Sequence, residues 1–121
     1  MFEKVAFTMY AVEDPVRARD FYENTLGLKI GSNGAHGSIR WMEFDLPGGG
    51  CLALTNATGQ KPGGGGMIAL EVSDLDEVIA DLKEKGVTFR SDIIKGPRCR
   101  MSNILDSEGN GIVLHQLDHK H

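Results

Sequence analysis

Two segments of the chain show the apolar spacing of amphipathic helices, in which every third or fourth residue is buried. Each segment begins after an aspartate, Asp14 or Asp74, a residue that favours the helix N-cap, and Pro15 follows the first of them. Each ends at a glycine, Gly27 or Gly86, as helices often do. The spacing predicts helices over residues 15–26 and 75–85, whose buried sides carry Ala18, Phe21, Tyr22 and Thr25 in the first and Leu75, Val78, Ile79 and Leu82 in the second.

Most of the remaining apolar residues lie in short segments bounded by Gly, Pro, Asn or Asp, a pattern typical of β-strands. Alternation within a strand places successive side chains on opposite faces of a sheet. The segments predict strands over residues 5–10, 39–46, 51–55, 67–72, 98–105 and 112–116, and the faces expected to pack on the helices carry Met42, Phe44 and Leu46 in one half and Ile68, Leu70 and Val72 in the other.

These elements occur twice in the same order, about 60 residues apart. The turn at residues 45–48 returns at residues 106–109, and the two halves meet at a glycine-rich segment, residues 59–66. Such a segment is typical of a linker, and it lacks the Lys-Ser/Thr that follows a phosphate-binding loop. The sequence predicts one α+β domain over residues 1–121, built from two βαβββ units at about 4–57 and 67–117.

Composition narrows the class of protein. The 121 residues suit one domain, 25% are charged, and the net charge of −4 disfavours nucleic acid or an anionic membrane as partner. No apolar run approaches the length of a membrane span, and the first residues lack the apolar core of a signal peptide. The two cysteines, Cys51 and Cys99, show no CxxC spacing, which favours a reduced, cytoplasmic protein. His119 and His121 are expected to belong to a polar tail.

The repeat and its motifs resemble the vicinal oxygen chelate superfamily, which includes glyoxalase I, bleomycin-resistance proteins, fosfomycin-resistance enzymes, methylmalonyl-CoA epimerase and extradiol dioxygenases. The resemblance covers the chain from Val5 to Gln116. It implies that each βαβββ unit forms a curled half-barrel of mixed sheet and that two units make a cup. The motifs that carry it are Arg19-Asp20-Phe21-Tyr22, Leu26-Gly27-Leu28 and Asp106-Ser107-Glu108-Gly109-Asn110.

The resemblance also assigns four positions to metal ligands in the metal-dependent members, and this chain carries Phe7, Ala53, Met67 and Val113 there. Three of these side chains have no donor atom, and a thioether suits soft copper rather than the Mn, Fe, Ni or Zn of these enzymes. His115 alone offers an imidazole nearby, and three or four ligands are the norm. We therefore expect no metal and no other cofactor.

Strand alternation predicts an apolar cup with a few polar groups, as small-molecule sites commonly have. His115 could act as a general base or be a strand-end histidine bonded to backbone, and Glu43 and Glu71 could form an acid/base pair or lie solvated at the rim. Trp41 could stack on a planar ligand or fill the core. The residues expected to line the ligand site are Phe7, Met9, Trp41, Glu43, Ala53, Met67, Ala69, Arg98, Arg100, Val113 and His115.

The basic residues among these have two interpretations. Arg98 and Arg100 could hold a carboxylate or phosphate of the ligand, or they could protect a solvated edge strand by their charge.

Three functions remain open from the sequence. The first is a metal-free module that binds a small, partly aromatic organic ligand, as the resemblance to bleomycin-resistance proteins implies. The second is a lyase, isomerase or dioxygenase of the same superfamily, metal-dependent or metal-free, with His115, Glu43 and Glu71 as candidate catalytic residues. The third is a regulatory domain with a filled cup. The bulk of Phe7 at a ligand position favours the first and third. A homodimer is expected, since single units leave strand edges open and the glycine linker would permit an exchange of units.

Overall fold

The chain folds into two compact units, and the boundary along the sequence lies between Gly65 and Gly66. This computed structural model describes Met1, Glu3, residues 5–57 and residues 61–118. Each unit contains one strand, one helix and three further strands around a four-stranded mixed sheet. The predicted α+β class and the tandem βαβββ arrangement are therefore confirmed.

In the first unit the sheet order is β1-β4-β3-β2, and β1 pairs with β4 in parallel while the other pairs are antiparallel. A glycine at Gly49 with φ of 106° allows the tight turn between β3 and β4. The elements are β1 Thr8–Ala11, α1 Pro15–Asp20, which continues as a π-helical turn over Phe21–Thr25, β2 Lys29–His36, β3 Ile39–Asp45 and β4 Cys51–Thr55.

The second unit repeats this topology with the order β5-β8-β7-β6, in which β5 and β8 are the parallel pair. Asp106 closes the turn between its last two strands, where one carboxylate oxygen accepts hydrogen bonds from the backbone N–H groups of Glu108 and Asn110. The elements are β5 Ile68–Glu71, α2 Leu75–Glu84, β6 Ile94–Lys95, β7 Cys99–Leu105 and β8 Gly111–Leu117.

Both helices begin where their caps predict. The side chain of Asp14 accepts a hydrogen bond from the backbone N–H of Arg17, and that of Asp74 accepts one from the N–H of Glu77, each at 3.1 Å. These bonds satisfy N–H groups that the first helical turn leaves without an intrahelical partner. The cap residues thus fix where each helix starts along its sheet.

In each unit one face of the sheet packs against the helix, as the alternation predicts. In the first unit the ring of Tyr22 lies 5.9 Å from that of Phe44, and both residues are fully buried. In the second unit the buried apolar residues of α2 and of the sheet are Leu75, Leu82, Ile104, Ile112 and Leu114. We call the other side of each sheet its helix-free face.

Some elements differ from the sequence prediction. β2 and β6 were not among the predicted strands, and β1 begins at Thr8 rather than at Val5. β2 carries no apolar alternation, and its backbone pairing with β3 makes it a strand. Neither helix in the described ranges is long and apolar enough to cross a membrane. The predicted unit and linker bounds at residues 4 and 59, and the predicted tail of His119 and His121, lie outside the described residues.

Candidate functional site

The helix-free face of the first sheet holds the aromatic residues predicted for the site. The strand register places Met9, Ala53 and Glu43 side by side on β1, β4 and β3, and Trp41 lies two residues from Glu43 on the same face. Phe7 precedes β1 and meets Trp41 edge to face, with ring centroids 5.4 Å apart. Phe7 and Met9 are 43% and 39% exposed, whereas Ala53 is fully buried. The exposed apolar surface therefore comes from Phe7 and Met9 rather than from a gap at Ala53.

Glu43 organises the polar part of this face. One of its carboxylate oxygens accepts a 2.6 Å hydrogen bond from the Trp41 indole Nε1, and the other lies 3.9 Å from Cys51 Sγ, which donates to it. Burial, followed by the negative charges of Glu43 and Asp45, raises the pKa of the Cys51 thiol. The thiol therefore stays protonated near neutral pH and acts as a donor, and Glu43 holds the Trp41 ring in one orientation.

The helix-free face of the second sheet carries a histidine–carboxylate pair. Glu71 on β5 lies opposite His115 on β8, and His115 Nδ1 is 2.6 Å from Glu71 Oε1. The second oxygen of Glu71 accepts a 2.9 Å hydrogen bond from the backbone N–H of Leu117. Of the two carboxylates predicted to assist His115, the structure brings Glu71 to it, while Glu43 belongs to the cluster of the first unit.

A second polar group on this face was missed by the sequence analysis. Asn103 on β7 lies opposite Val113, whose other neighbour is Ala69 on β5, so these three share the face of His115. The side-chain oxygen of Asn103 is buried and has no hydrogen-bond partner among the described residues. Counting alternate residues back from Leu105 along the predicted strand would have placed Asn103 here.

The two arginines predicted for the site lie elsewhere. Arg100 is on the helix face of the second sheet, where its guanidinium contacts the carboxylate of Asp76 at 3.2 Å and the side-chain oxygen of Gln116 at 3.1 Å. It therefore anchors the start of α2 and does not share the face of His115. Arg98 is exposed just before β7, and Met67 is 55% exposed just before β5.

The residues at the four expected ligand positions do not fit a divalent metal. Phe7, Ala53 and Val113 offer no donor atom and Met67 offers a thioether. Within residues 5–57 and 61–118, no group of three or more His, Cys, Asp or Glu side chains could hold a metal ion. The chemistry available on the helix-free faces is therefore hydrogen bonding, aromatic contact and proton transfer by side chains.

A cavity of about 400 Å³ opens on the helix side of the second unit, away from the predicted site residues. Lys83 on α2 lies over the ring of Phe89 there, with Nζ 5.5 Å from the ring centroid. The cavity shows that α2 leaves the sheet edge near β6 partly uncovered. Its lining consists of Ile79, Lys83, Phe89, Ser91, Asp92, Ile93 and Ser102.

Solved structures that are similar to this protein match nearly the whole chain. TnmS3, an antibiotic-binding protein from Streptomyces sp. CB03234, is 26% identical with a TM-score of 0.80, and the match covers 97% of this chain and 99% of that one. A superfamily member from Sphaerobacter thermophilus DSM 20745 is 29% identical with a TM-score of 0.77, covering 93% and 98%. The glyoxalase I of Leishmania major is 23% identical, covers 95% and 87%, and with a TM-score of 0.77 shares the fold.

Comparison with curated proteins gives no significant match. The model of the Glyoxalase/Bleomycin resistance protein/Dioxygenase superfamily matches residues 4–114. That match covers every strand and helix described above except the last three residues of β8. The chain therefore belongs to the glyoxalase/bleomycin resistance protein/dioxygenase superfamily.

Proposed function

We propose that this protein binds a small, partly aromatic organic molecule without the help of a metal ion. The observation that carries the proposal is the Phe7–Trp41 pair on the helix-free face of the first sheet, partly exposed and held beside the Glu43 carboxylate. A soluble domain gains little stability from an exposed aromatic side chain, whereas a ligand that covers it gains the burial of its apolar area.

The geometry suits a planar ligand. An aromatic ring packs on another in an offset or edge-to-face arrangement, and Phe7 and Trp41 already pack edge to face. Because the Glu43 carboxylate holds the indole N–H at 2.6 Å, the ring is fixed before a ligand arrives, which reduces the entropy lost on binding. The same carboxylate can accept a hydrogen bond from a donor on the ligand.

Two further observations support binding rather than metal-dependent turnover. TnmS3, which matches 97% of this chain, is an antibiotic-binding protein. The four positions at which metal-dependent members carry ligands hold Phe7, Ala53, Met67 and Val113 here.

We place the protein in the cytoplasm on the basis of its two cysteines, which are free thiols.

The experiment that tests this function measures binding of bleomycin and of a set of planar aromatic antibiotics by calorimetry, with Trp41 fluorescence as the reporter. Trp41→Ala should weaken the binding of a positive compound by about 1–3 kcal/mol, the scale of a buried aromatic contact. Trp41→Phe should lose less, and Val16→Ala, at an exposed position on α1, should bind as the unaltered protein does. Added Ni, Mn or Zn should leave the affinity unchanged. Stoichiometric metal in the purified protein, or binding lost on treatment with EDTA, would contradict the proposal.

We also propose that the protein is a homodimer. Val5, Phe7, Met9 and Met67 are 79%, 43%, 39% and 55% exposed, so both units present apolar side chains at or beside their parallel edge strands β1 and β5. A second copy would cover such surface, and closed two-fold dimers are the commonest assembly. Light scattering on the eluted protein should give twice the chain mass of 13.1 kDa, and a particle of the single-chain mass at micromolar concentration would reject the dimer.

A further inference from the structure

The Glu71–His115 contact is supported by a second hydrogen bond from the backbone. Glu71 is held at both oxygens, by His115 Nδ1 at 2.6 Å and by the Leu117 backbone N–H at 2.9 Å. The two residues lie on the parallel strands β5 and β8 and face each other in the register. Since the carboxylate is fixed by the backbone, the imidazole that it holds has a fixed orientation as well.

This contact determines which ring nitrogen carries the proton. The Glu71 carboxylate is an acceptor, so His115 Nδ1 must donate, and the neutral imidazole then leaves Nε2 as a bare acceptor. No described residue contacts His115 Nε2 by a hydrogen bond. Across the sheet His115 lies between Glu71 on β5 and Met101 on β7, so Glu71 is the titratable group directly opposite it, and the Cys99 thiol lies one alternate position beyond Met101 on the same face.

The same face carries a second hydrogen-bond acceptor, the side-chain oxygen of Asn103, to which no described group donates. Asn103 on β7 lies opposite Val113, which is two residues before His115 on the same face of β8. The buried side-chain oxygen of Asn103 has no hydrogen-bond partner among the described residues. A buried polar atom without a hydrogen bond costs free energy that a bound donor would recover. His115 Nε2 and Asn103 Oδ1 are both acceptors on this face, and a hydroxyl group is the neutral donor that suits them.

We propose that the helix-free face of the second sheet binds an acidic hydroxyl, a phenol or an enol, and that His115 Nε2 takes its proton. In this step the O–H bond breaks, an N–H bond forms at Nε2, and the electron pair stays on the oxygen of the phenolate or enolate. The resulting imidazolium is stabilised by the Glu71 carboxylate at Nδ1, so Glu71 is a positioning residue for His115. The proposal goes beyond the proposed function and does not depend on Trp41.

A purely structural role for the pair predicts something else. If Glu71 and His115 only join β5 to β8, their replacement lowers the stability of the second unit and changes nothing in the ionisation of a bound hydroxyl. The test must therefore report the proton itself. 4-Nitrophenol is suitable because its phenolate, unlike the phenol, absorbs in the visible range.

The experiment titrates the protein into 4-nitrophenol at a pH below the pKa of the probe, where the free probe is mostly phenol. We expect the ionisation constant of the bound probe to rise by roughly tenfold, the effect of one pKa unit. His115→Gln should abolish this rise and Glu71→Gln should reduce it, because the amide keeps a hydrogen bond but loses the charge. His36→Gln, at an exposed position of β2, is the matched control and should behave as the unaltered protein.

The nitrogen-15 spectrum of the histidine rings gives an independent measurement that needs no ligand. We expect the neutral form of the His115 ring to carry its proton on Nδ1, with a weaker preference for Nδ1 in Glu71→Gln. A proton on Nε2 in the unaltered protein would overturn the proposal, as would bound 4-nitrophenol with an unchanged phenolate band. Failure of millimolar 4-nitrophenol to shift any resonance of the second sheet would overturn it too. None of these results touches the binding test based on Trp41.

Discussion

Replacing Phe44 by alanine tests which face of the first sheet carries the core. Phe44 is fully buried and its ring lies 5.9 Å from that of Tyr22 on the helix. Truncation of a buried phenylalanine costs about 3–5 kcal/mol, from the lost apolar burial and from the cavity left behind. Domains of this size have a free energy of unfolding of about 5–15 kcal/mol, so Phe44→Ala should lose a large part of it.

The matched control is the same truncation on the other face. Phe7 is 43% exposed and contacts Trp41 edge to face, a contact worth about 0.5–1.5 kcal/mol. Urea unfolding of Phe44→Ala, Phe7→Ala and the unaltered protein, followed by circular dichroism, measures both losses. The result that would refute the assignment of faces is a loss in Phe7→Ala equal to or larger than the loss in Phe44→Ala.

Two further predictions concern the helix cap and the thiol. Asp74→Ala removes the oxygen that caps α2 and should lower the free energy of unfolding by about 1 kcal/mol. The control, Asp81→Ala, removes a surface ion pair with Lys85 and should cost less than half of that. Equal losses of the two variants in urea unfolding would contradict the role of the cap. The raised pKa of Cys51 leaves less thiolate at a given pH, so iodoacetamide should alkylate Cys51 at pH 8 more slowly than free cysteine. Glu43→Gln removes a negative charge beside the thiol and should speed the reaction. Peptide mass spectrometry measures the rate, and an unchanged rate in Glu43→Gln would reject the role of that charge.

The fold was predictable because its markers are local and repeated. Asp14 and Asp74 cap the helices by contacts over three residues, and the alternation around Phe44 determines the face that meets α1. β2 carries no such marker. Its sequence is rich in Gly, Ser and Asn, its pairing with β3 shifts between Ile30 and Asn33, and only the neighbouring strand makes it a strand.

The contacts of the candidate site were less accessible to sequence reasoning. The parallel register of β5 and β8 brings Glu71 to His115, residues far apart in the chain, and no local pattern encodes that pairing. Arg100 was expected to meet a ligand because it is basic and near a loop. Its parity along β7 matches Ser102 and Ile104, which are buried, so alternation alone would have assigned it to the helix side.

In each unit the first strand pairs in parallel with the last strand, and this pairing has a consequence for synthesis on the ribosome. β1 has β4 as its neighbour in the sheet, and β5 has β8, so each opening strand waits for the closing strand of its own unit. Hairpins such as β3–β4 can form as soon as they emerge, whereas the parallel pair must first close a loop that spans the whole unit. A nascent chain that stops before Cys51 leaves Thr8–Ala11 without its sheet partner. The smallest piece able to complete its sheet during translation is thus one whole unit, and the first can be complete while the second is still being made.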